Sequence, residues 1–280
     1  MPPLRLLLLT TITMLAFAAN SILCRVALAE DHIGAASFTF IRIASGAVFL
    51  ALLLLIRTRS YRLGGSWLSG AALFGYAAAF SFAYISLSAA TGALLLFAAV
   101  QATMITYGLW SGERLSARQF IGIAVAFAGL VWLMLPGIEA PPLLGAVIMI
   151  GSGVCWGVYS LLGRQASEPT IATAGNFIRA IPFALLLFLL LGNGENTSSL
   201  GLVYAVASGA LASGLGYALW YLVLPQLPAT SAATIQLSVP IIAALGGVLL
   251  LDEAVTLRFA LASLAVLGGI SLFILSKRRV

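Results

Sequence analysis

Charge is what this sequence has least of. Of 280 residues, 8% are Asp, Glu, Lys or Arg and 62% are hydrophobic, giving a mean hydropathy of +1.12. A soluble domain carries about a quarter of its residues charged to keep its surface wet, so a water-soluble fold is excluded. Histidine is nearly missing too. His32 is the only one, and no serine–histidine, aspartate-pair or metal-ligand set falls within the apolar runs, which disfavours an intramembrane enzyme. The two cysteines, Cys24 and Cys155, sit in apolar runs without metal-ligand or redox spacing and read as small packing residues. No cofactor is expected. Carboxylates are absent from the interiors of the apolar runs: Glu30, Asp31, Glu113, Glu139, Glu168, Glu195, Asp252 and Glu253 all lie at their ends or between them. Cation pumps and proton antiporters commonly bury such an acid. Its absence argues for weak or absent proton coupling and against a purely cationic substrate, although an aromatic box could take a cation on its ring faces.

What the chain has instead is apolar length. Windows of about 20 apolar residues, each enough to cross about 30 Å of hydrocarbon, recur throughout. They predict an all-α polytopic membrane protein with ten spans, at roughly 4–26, 35–56, 67–87, 91–110, 118–135, 142–163, 170–191, 199–222, 229–250 and 256–276. The connections are short. They leave no room for a soluble domain or a nucleic-acid-binding face, so the expected partners are membrane lipid and a small-molecule substrate, with a functional monomer. Ten of the fourteen basic residues, Arg5, Arg57, Arg59, Arg62, Arg114, Arg118, Arg164, Lys277, Arg278 and Arg279, fall on one side, and only Arg25 and Arg258 fall clearly on the other. The positive-inside bias then places both termini in the cytoplasm. Arg5, an apolar run and "AFAA" (Ala16 to Ala19) mimic a cleaved signal peptide, but cleavage there would leave an unpaired nine-span chain.

That pairing comes from an internal repeat. "FAANSILCR" (Phe17 to Arg25) shares its layout with "WGVYSLLGR" (Trp156 to Arg164) at an offset of 139, and "FIR" at Phe40 to Arg42 recurs at Phe177 to Arg179, offset 137. "GERLS" (Gly112 to Ser116) parallels "DEAVT" (Asp252 to Thr256) at offset 140. Residues 1–138 and 139–280 therefore read as two five-span units. An odd number of spans reverses the second unit, giving an inverted 5+5 repeat around a central cavity. Duplication that merely made a stable bundle is the alternative.

Within the spans, Tyr76, Phe80 and Tyr84 recur every four residues on one helix face, and Tyr217, Trp220 and Tyr221 form a comparable stripe. Phe97 and Gln101 are one turn apart, and at offset 139 they become Gln236 and Pro240. An amide in hydrocarbon needs a partner, so Gln101 and Gln236 should face the bundle interior or a wet cavity; an interhelical hydrogen bond is the competing role. Asn20, Trp156 and Tyr159 join the candidate lining. Arg42 and Arg179 are the only formal charges well inside spans. Arg42 lies about 10 Å from its helix start and can snorkel. Either arginine could hold a substrate carboxylate, but capping backbone carbonyls or pairing with a loop acid ranks first. Pro240, placed mid-helix, is the candidate hinge, and Pro182 interrupts the seventh span.

The segments "WGVYSLLGR", "ATGALLLFAAV" (Ala90 to Val100) followed by "GERLS", and "ATSAATIQLSVPIIAALGGVLLLDEAVT" (Ala229 to Thr256) resemble the drug/metabolite transporter superfamily, in particular its EamA-type ten-helix transporters. The resemblance covers the chain end to end. It implies a cavity formed mainly by spans 1, 3, 4, 6, 8 and 9, a bacterial inner-membrane location, and export of small metabolites by alternating access. The aromatic-rich, acid-free interior is most similar to the YddG-type exporters of neutral amino acids. On that basis Gln101, Gln236, Tyr159 and Asn20 are expected to bind the polar head, with Phe80, Phe97, Trp156 and Trp220 shaping the side-chain pocket. A multidrug or aromatic-cation exporter is the alternative. The chain departs from the family pattern at Phe17-Ala18, where Trp-Gly is usual.

Overall fold

The computed structural model describes residues 2–58, 64–112, 114–137, 139–164, 166, 168–227, 232 and 235–276. These residues build ten helices: α1 (Pro3–Ala29), α2 (Ala35–Thr58), α3 (Trp67–Tyr84), α4 (Ala89–Trp110), α5 (Ala117–Met134), α6 (Leu143–Gly163), α7 (Pro169–Leu191), α8 (Ser199–Gln226), α9 (Ser238–Leu251) and α10 (Leu257–Leu275). Eight are long and apolar enough to cross a membrane. The other two are α3, dense in small and aromatic residues, and α9, of which 14 residues form the regular helix. Tyr61, Glu113 and the terminal basic residues Lys277 to Arg279 lie outside the described residues.

Local chemistry sets the helix ends. Ser66, Ser88, Ser116, Ser198 and Thr256 each precede a helix and accept a backbone N–H from three residues on, satisfying one of the donors a helix start leaves free. Ser116 and Thr256 occupy equivalent places in "GERLS" and "DEAVT", so the two units start their fifth helices alike. Ser116 adds a reciprocal capping box with Gln119.

The helix contacts are nearly unchanged by exchanging the units. α3 packs on α6 and α7, as α8 packs on α1 and α2; α4 packs on α6, as α9 packs on α1. Helices α2 and α7 pair with each other, as do α4 and α9, and α5 with α10. The last pair approaches backbone to backbone: a Cβ on Gly122 would meet the Gly269 carbonyl at 2.5 Å. Lipid tails offer no hydrophobic drive between apolar helices, so such close packing supplies the adhesion.

Two helices depart from the expected spans. Ala207–Leu215 of α8 is a π-helical stretch between two α-helical ones, invisible to hydropathy. Pro240 is not mid-helix: Ile235 and Gln236 are helical, Leu237 is a turn, and the regular helix restarts at Ser238. Proline in the first turn forfeits no intrahelical bond, so the break falls where the residue is tolerated. Pro182 remains inside a continuous α7.

Candidate functional site

Helices α1, α2, α3, α6 and α8 enclose a buried centre built on Arg42. This arginine does not snorkel. It is 2% exposed, because α8 crosses α2 directly against it: a Cβ on Gly209 would collide with the Arg42 carbonyl and Ser45. Its Nη2 donates to the Tyr76 hydroxyl at 2.7 Å and its Nε to Ser213 at 3.4 Å. The guanidinium carbon lies 5.0 Å from the Tyr76 ring centre and 4.9 Å from that of Phe80, within cation–π range. Nη1 is buried without a hydrogen-bond partner, and no ion pair reaches Arg42 among the described residues.

Asn20 completes this network. Its amide nitrogen donates to the Tyr76 hydroxyl at 3.1 Å, and its oxygen accepts from Ser208 at 2.6 Å. The π-helical stretch explains why Ser208 and Ser213 both serve it. Five residues apart, they would be about 140° apart on an α-helix, whereas a π-turn links residue i to i+5 and brings both onto one face.

Around the polar centre runs a continuous chain of rings. Tyr84 meets Phe80 at 4.7 Å, Phe80 meets Tyr76 at 5.4 Å, and Tyr76 meets Trp156 at 4.8 Å. Trp156 continues to Tyr159 at 5.4 Å and to Tyr217 at 5.0 Å. Tyr217 then touches Phe177 at 5.9 Å and Phe17 at 5.8 Å, and Phe17 touches Trp220 at 6.1 Å. In this state the rings occupy the ground where the central cavity is expected. A cavity of about 260 Å³ lies elsewhere, at the end of the bundle that carries Arg25, Ser88, Glu139 and Glu253.

Of the residues singled out from sequence, Asn20, Arg42, Tyr76, Phe80, Tyr84, Trp156, Tyr159, Tyr217 and Trp220 are thus brought together. Four others are not. Gln101 is 7% exposed and its amide has no partner among the described residues; it and Phe97 lie on the side of α4 turned away from Leu96, Ala99 and Thr103, which face α6. Gln236 is half-buried beside the break at Leu237 and joins neither network. Arg179 takes the capping role: its Nη1 donates to the Gly64 carbonyl at 2.5 Å and to that of Gly175 at 3.0 Å. Sequence reasoning missed Ser208 and Ser213, and ranked Arg42 as structural. The signal for Arg42 was present, since a charge that deep in an acid-free interior has nothing of its own chain to pair with.

Ten helices in two exchange-symmetric units, closing on a buried arginine in an aromatic shell, define a polytopic membrane transporter. The chain belongs to the EamA-like transporter family, whose profile matches residues 4–135 and again residues 143–275. An uncharacterized protein of Pseudomonas aeruginosa is 54% identical over 275 residues, 98% of this chain and 96% of that one. The threonine/homoserine exporter RhtA of Salmonella typhimurium strain LT2 is 31% identical over 172 residues, 59% of this chain and 57% of its own. RhtA of Escherichia coli K12 is 29% identical over 161 residues, 54% and 52% respectively. A solved crystal structure superposes with a TM-score of 0.68 at 21% identity, covering 96% of this chain and 99% of that one, and so shares the fold.

Proposed function

We propose that this transporter exports neutral amino acids, aromatic and aliphatic, from the bacterial cytoplasm by alternating access, without strict proton coupling and with both termini cytoplasmic. The observation that carries the reading is the unpartnered Nη1 of Arg42. A buried donor without an acceptor costs about 1–3 kcal/mol, and more when charged. The described acids lie at helix ends and in connections, so the missing acceptor is supplied by the substrate. A carboxylate fits a guanidinium by shape and charge.

The shell around that charge suits a broad side chain. Phe80, Trp156, Tyr217 and Trp220 offer large apolar faces, while Asn20, Tyr76 and Ser208 offer acceptors within the same network for an ammonium group. The names of the RhtA relatives agree with amino-acid export. An aromatic cation is disfavoured, because it brings no carboxylate for Arg42 Nη1, Arg42 already lies on the rings of Tyr76 and Phe80, and a second positive charge without a compensating negative one is repelled there.

The test is uptake of a labelled amino-acid panel into liposomes bearing the purified protein, with and without an imposed pH gradient. Saturable uptake of neutral amino acids without a gradient is the expected outcome. Strict dependence on the gradient overturns the uncoupled mechanism. Competition by quaternary amines, with no uptake of any amino acid, moves the assignment to drug export.

A further inference from the structure

Arg42 is not alone in carrying a buried donor without a partner. The Trp156 ring touches both Tyr76, at 4.8 Å, and Tyr159, at 5.4 Å, so Tyr159 lies one ring beyond the polar centre. It is 2% exposed, and its hydroxyl has no hydrogen-bond partner. A buried hydroxyl left in that condition is rare enough to need a cause. This one points at Thr173 and Asn176 of α7, both buried, and the Tyr221 hydroxyl of α8 also lies against Thr173. Four uncharged polar side chains from three helices thus meet beside the aromatic shell.

The repeat shows how such a cluster looks when it is complete. Tyr159 corresponds to Asn20 at offset 139, Asn176 to Thr39 at offset 137, and Tyr221 to Ser81 at offset 140. In the first unit every equivalent is satisfied. Asn20 bonds to Tyr76 and Ser208, while Thr39 and Ser81 meet each other at 2.9 Å and reach the carbonyls of Ala35 and Ala77. In the second unit Thr173 spends its proton on the Pro169 carbonyl at 2.8 Å, and Asn176 Oδ1 accepts from the Ser66 N–H at 3.0 Å. Thr173 keeps lone pairs, yet the Tyr159 proton does not reach them. The group that closes this gap accepts from Tyr159 and donates to Thr173. A hydroxyl does both, whereas a carboxylate only accepts, an ammonium only donates and a methyl does neither.

We propose that Tyr159 and Thr173 form a subsite that reads a hydroxyl on the side chain of the transported amino acid, so that hydroxylated amino acids are exported in preference to their counterparts without the hydroxyl. The inference rests on the amino-acid reading, in which Arg42 takes the carboxylate and Asn20, Tyr76 and Ser208 take the ammonium; the side chain then extends along Trp156 towards Tyr159. A site built to bond a substrate hydroxyl rejects the analogue lacking it, because its own polar groups are left stranded.

Threonine and valine, serine and alanine, and tyrosine and phenylalanine each differ by little besides a hydroxyl. Initial uptake of each labelled pair into liposomes bearing the purified protein should favour the hydroxylated member by about fivefold, the scale of one neutral hydrogen bond. Tyr159→Phe should bring each ratio to about one by slowing the hydroxylated member alone. It should also hold or slightly raise Tm, since it removes a hydroxyl that bonds to nothing. Thr173→Val, which takes away the acceptor on the facing helix, should narrow the same ratios, and it decides the matter if Tyr159→Phe does not fold. Equal uptake within every pair by the parent protein, as when a water bridges Tyr159 and Thr173, overturns the subsite and leaves amino-acid export standing. So does a preference that survives Tyr159→Phe, or an equal loss for both members of a pair. No uptake of any amino acid by the parent overturns the export reading itself, and the subsite with it.

Discussion

Arg42 and Arg179 end the same tripeptide in the two repeat units, and their backbones are crossed in the same way. Gly209 of α8 lies against the backbone of Arg42, and Gly70 of α3, its equivalent at offset 139, lies against that of Arg179. The side chains nevertheless do different work. Arg42 turns into the bundle, towards Tyr76 and Ser213, and Arg179 turns to the carbonyls of Gly64 and Gly175. The residue equivalent to Ser213 is Phe74, which stacks on Phe183 at 5.8 Å and offers no acceptor. Helix α3 also lacks the π-helical stretch that aligns two serines in α8. Duplication copied the crossing, and divergence of its neighbours decided which arginine faces the centre.

The strongest way to break that comparison is to neutralise each arginine in turn. Arg42→Gln should lower amino-acid counterflow at least about thirtyfold, the scale of one lost charge-assisted hydrogen bond of about 2 kcal/mol. Arg179→Gln should leave transport within about threefold and lower Tm instead, since it removes only caps. Equal transport losses in the two variants would show that both arginines meet substrate. A lysine at position 42 is not a conservative rescue, because it lacks the planar fork that reaches Tyr76, Ser213 and a third acceptor together.

Next in size is a pair of hydroxyl deletions. The Tyr76 hydroxyl accepts from both Arg42 and Asn20, so Tyr76→Phe strands two buried donors and should destabilise the protein by about 1–2 kcal/mol. Its counterpart near the same repeat position, Tyr217, has its hydroxyl against that of Tyr76 and holds neither the Arg42 nor the Asn20 donor. Tyr217→Phe should therefore leave Tm nearly unchanged. Thermal unfolding in detergent followed by tryptophan fluorescence separates the two.

The glycine pair sharpens the backbone half of the comparison. A Cβ on Gly209 would meet a backbone carbonyl, which cannot move aside, while one on Gly70 would meet the Arg179 Cβ at 2.8 Å. Both changes overpack a crossing, at about 1–3 kcal/mol, and Gly209→Ala should be the worse. It should also reduce transport, because parting α8 from α2 draws Ser213 and Ser208 off the polar centre. A milder effect at Gly209 than at Gly70 would mean that the π-helical stretch absorbs the added methyl.

Much of this was legible in the residues. Hydropathy located the helices to within a few residues at most ends, because a span must be apolar along its whole length. The repeat foretold the exchange-symmetric contacts, and four-residue aromatic spacing foretold the ring chain on α3. What sequence could not carry was direction. Offset alone makes Arg42 and Arg179 equivalent, and nothing local says which turns inward. Ser208 and Ser213 read as unrelated on an α-helical wheel, and only the π-helical stretch sets them on one face. Leu237 likewise shows that a proline marks a break without saying on which side it falls.

The two glutamines offer the smallest effect and the finest test of that limit. Gln101 and Gln236 look equivalent through their neighbours Phe97 and Pro240, yet Gln101 is buried without a partner and Gln236 is half-buried beside the helix break. The Gln101 amide makes no hydrogen bond among the described residues and is not one of the fully enclosed polar groups, so an apolar group of similar shape in its place costs folding little. Gln101→Leu should therefore hold or slightly raise Tm while lowering transport about threefold, if its amide meets substrate only in another state of the cycle. Gln236→Leu should reduce transport with little loss of folded protein. Unchanged transport in either variant removes that glutamine from the site and leaves Arg42, Tyr76 and Asn20 as its polar centre. Unchanged transport in Gln101→Leu together with a raised Tm would make that amide a vestige, since a group that helps neither folding nor transport has no remaining physical role on α4.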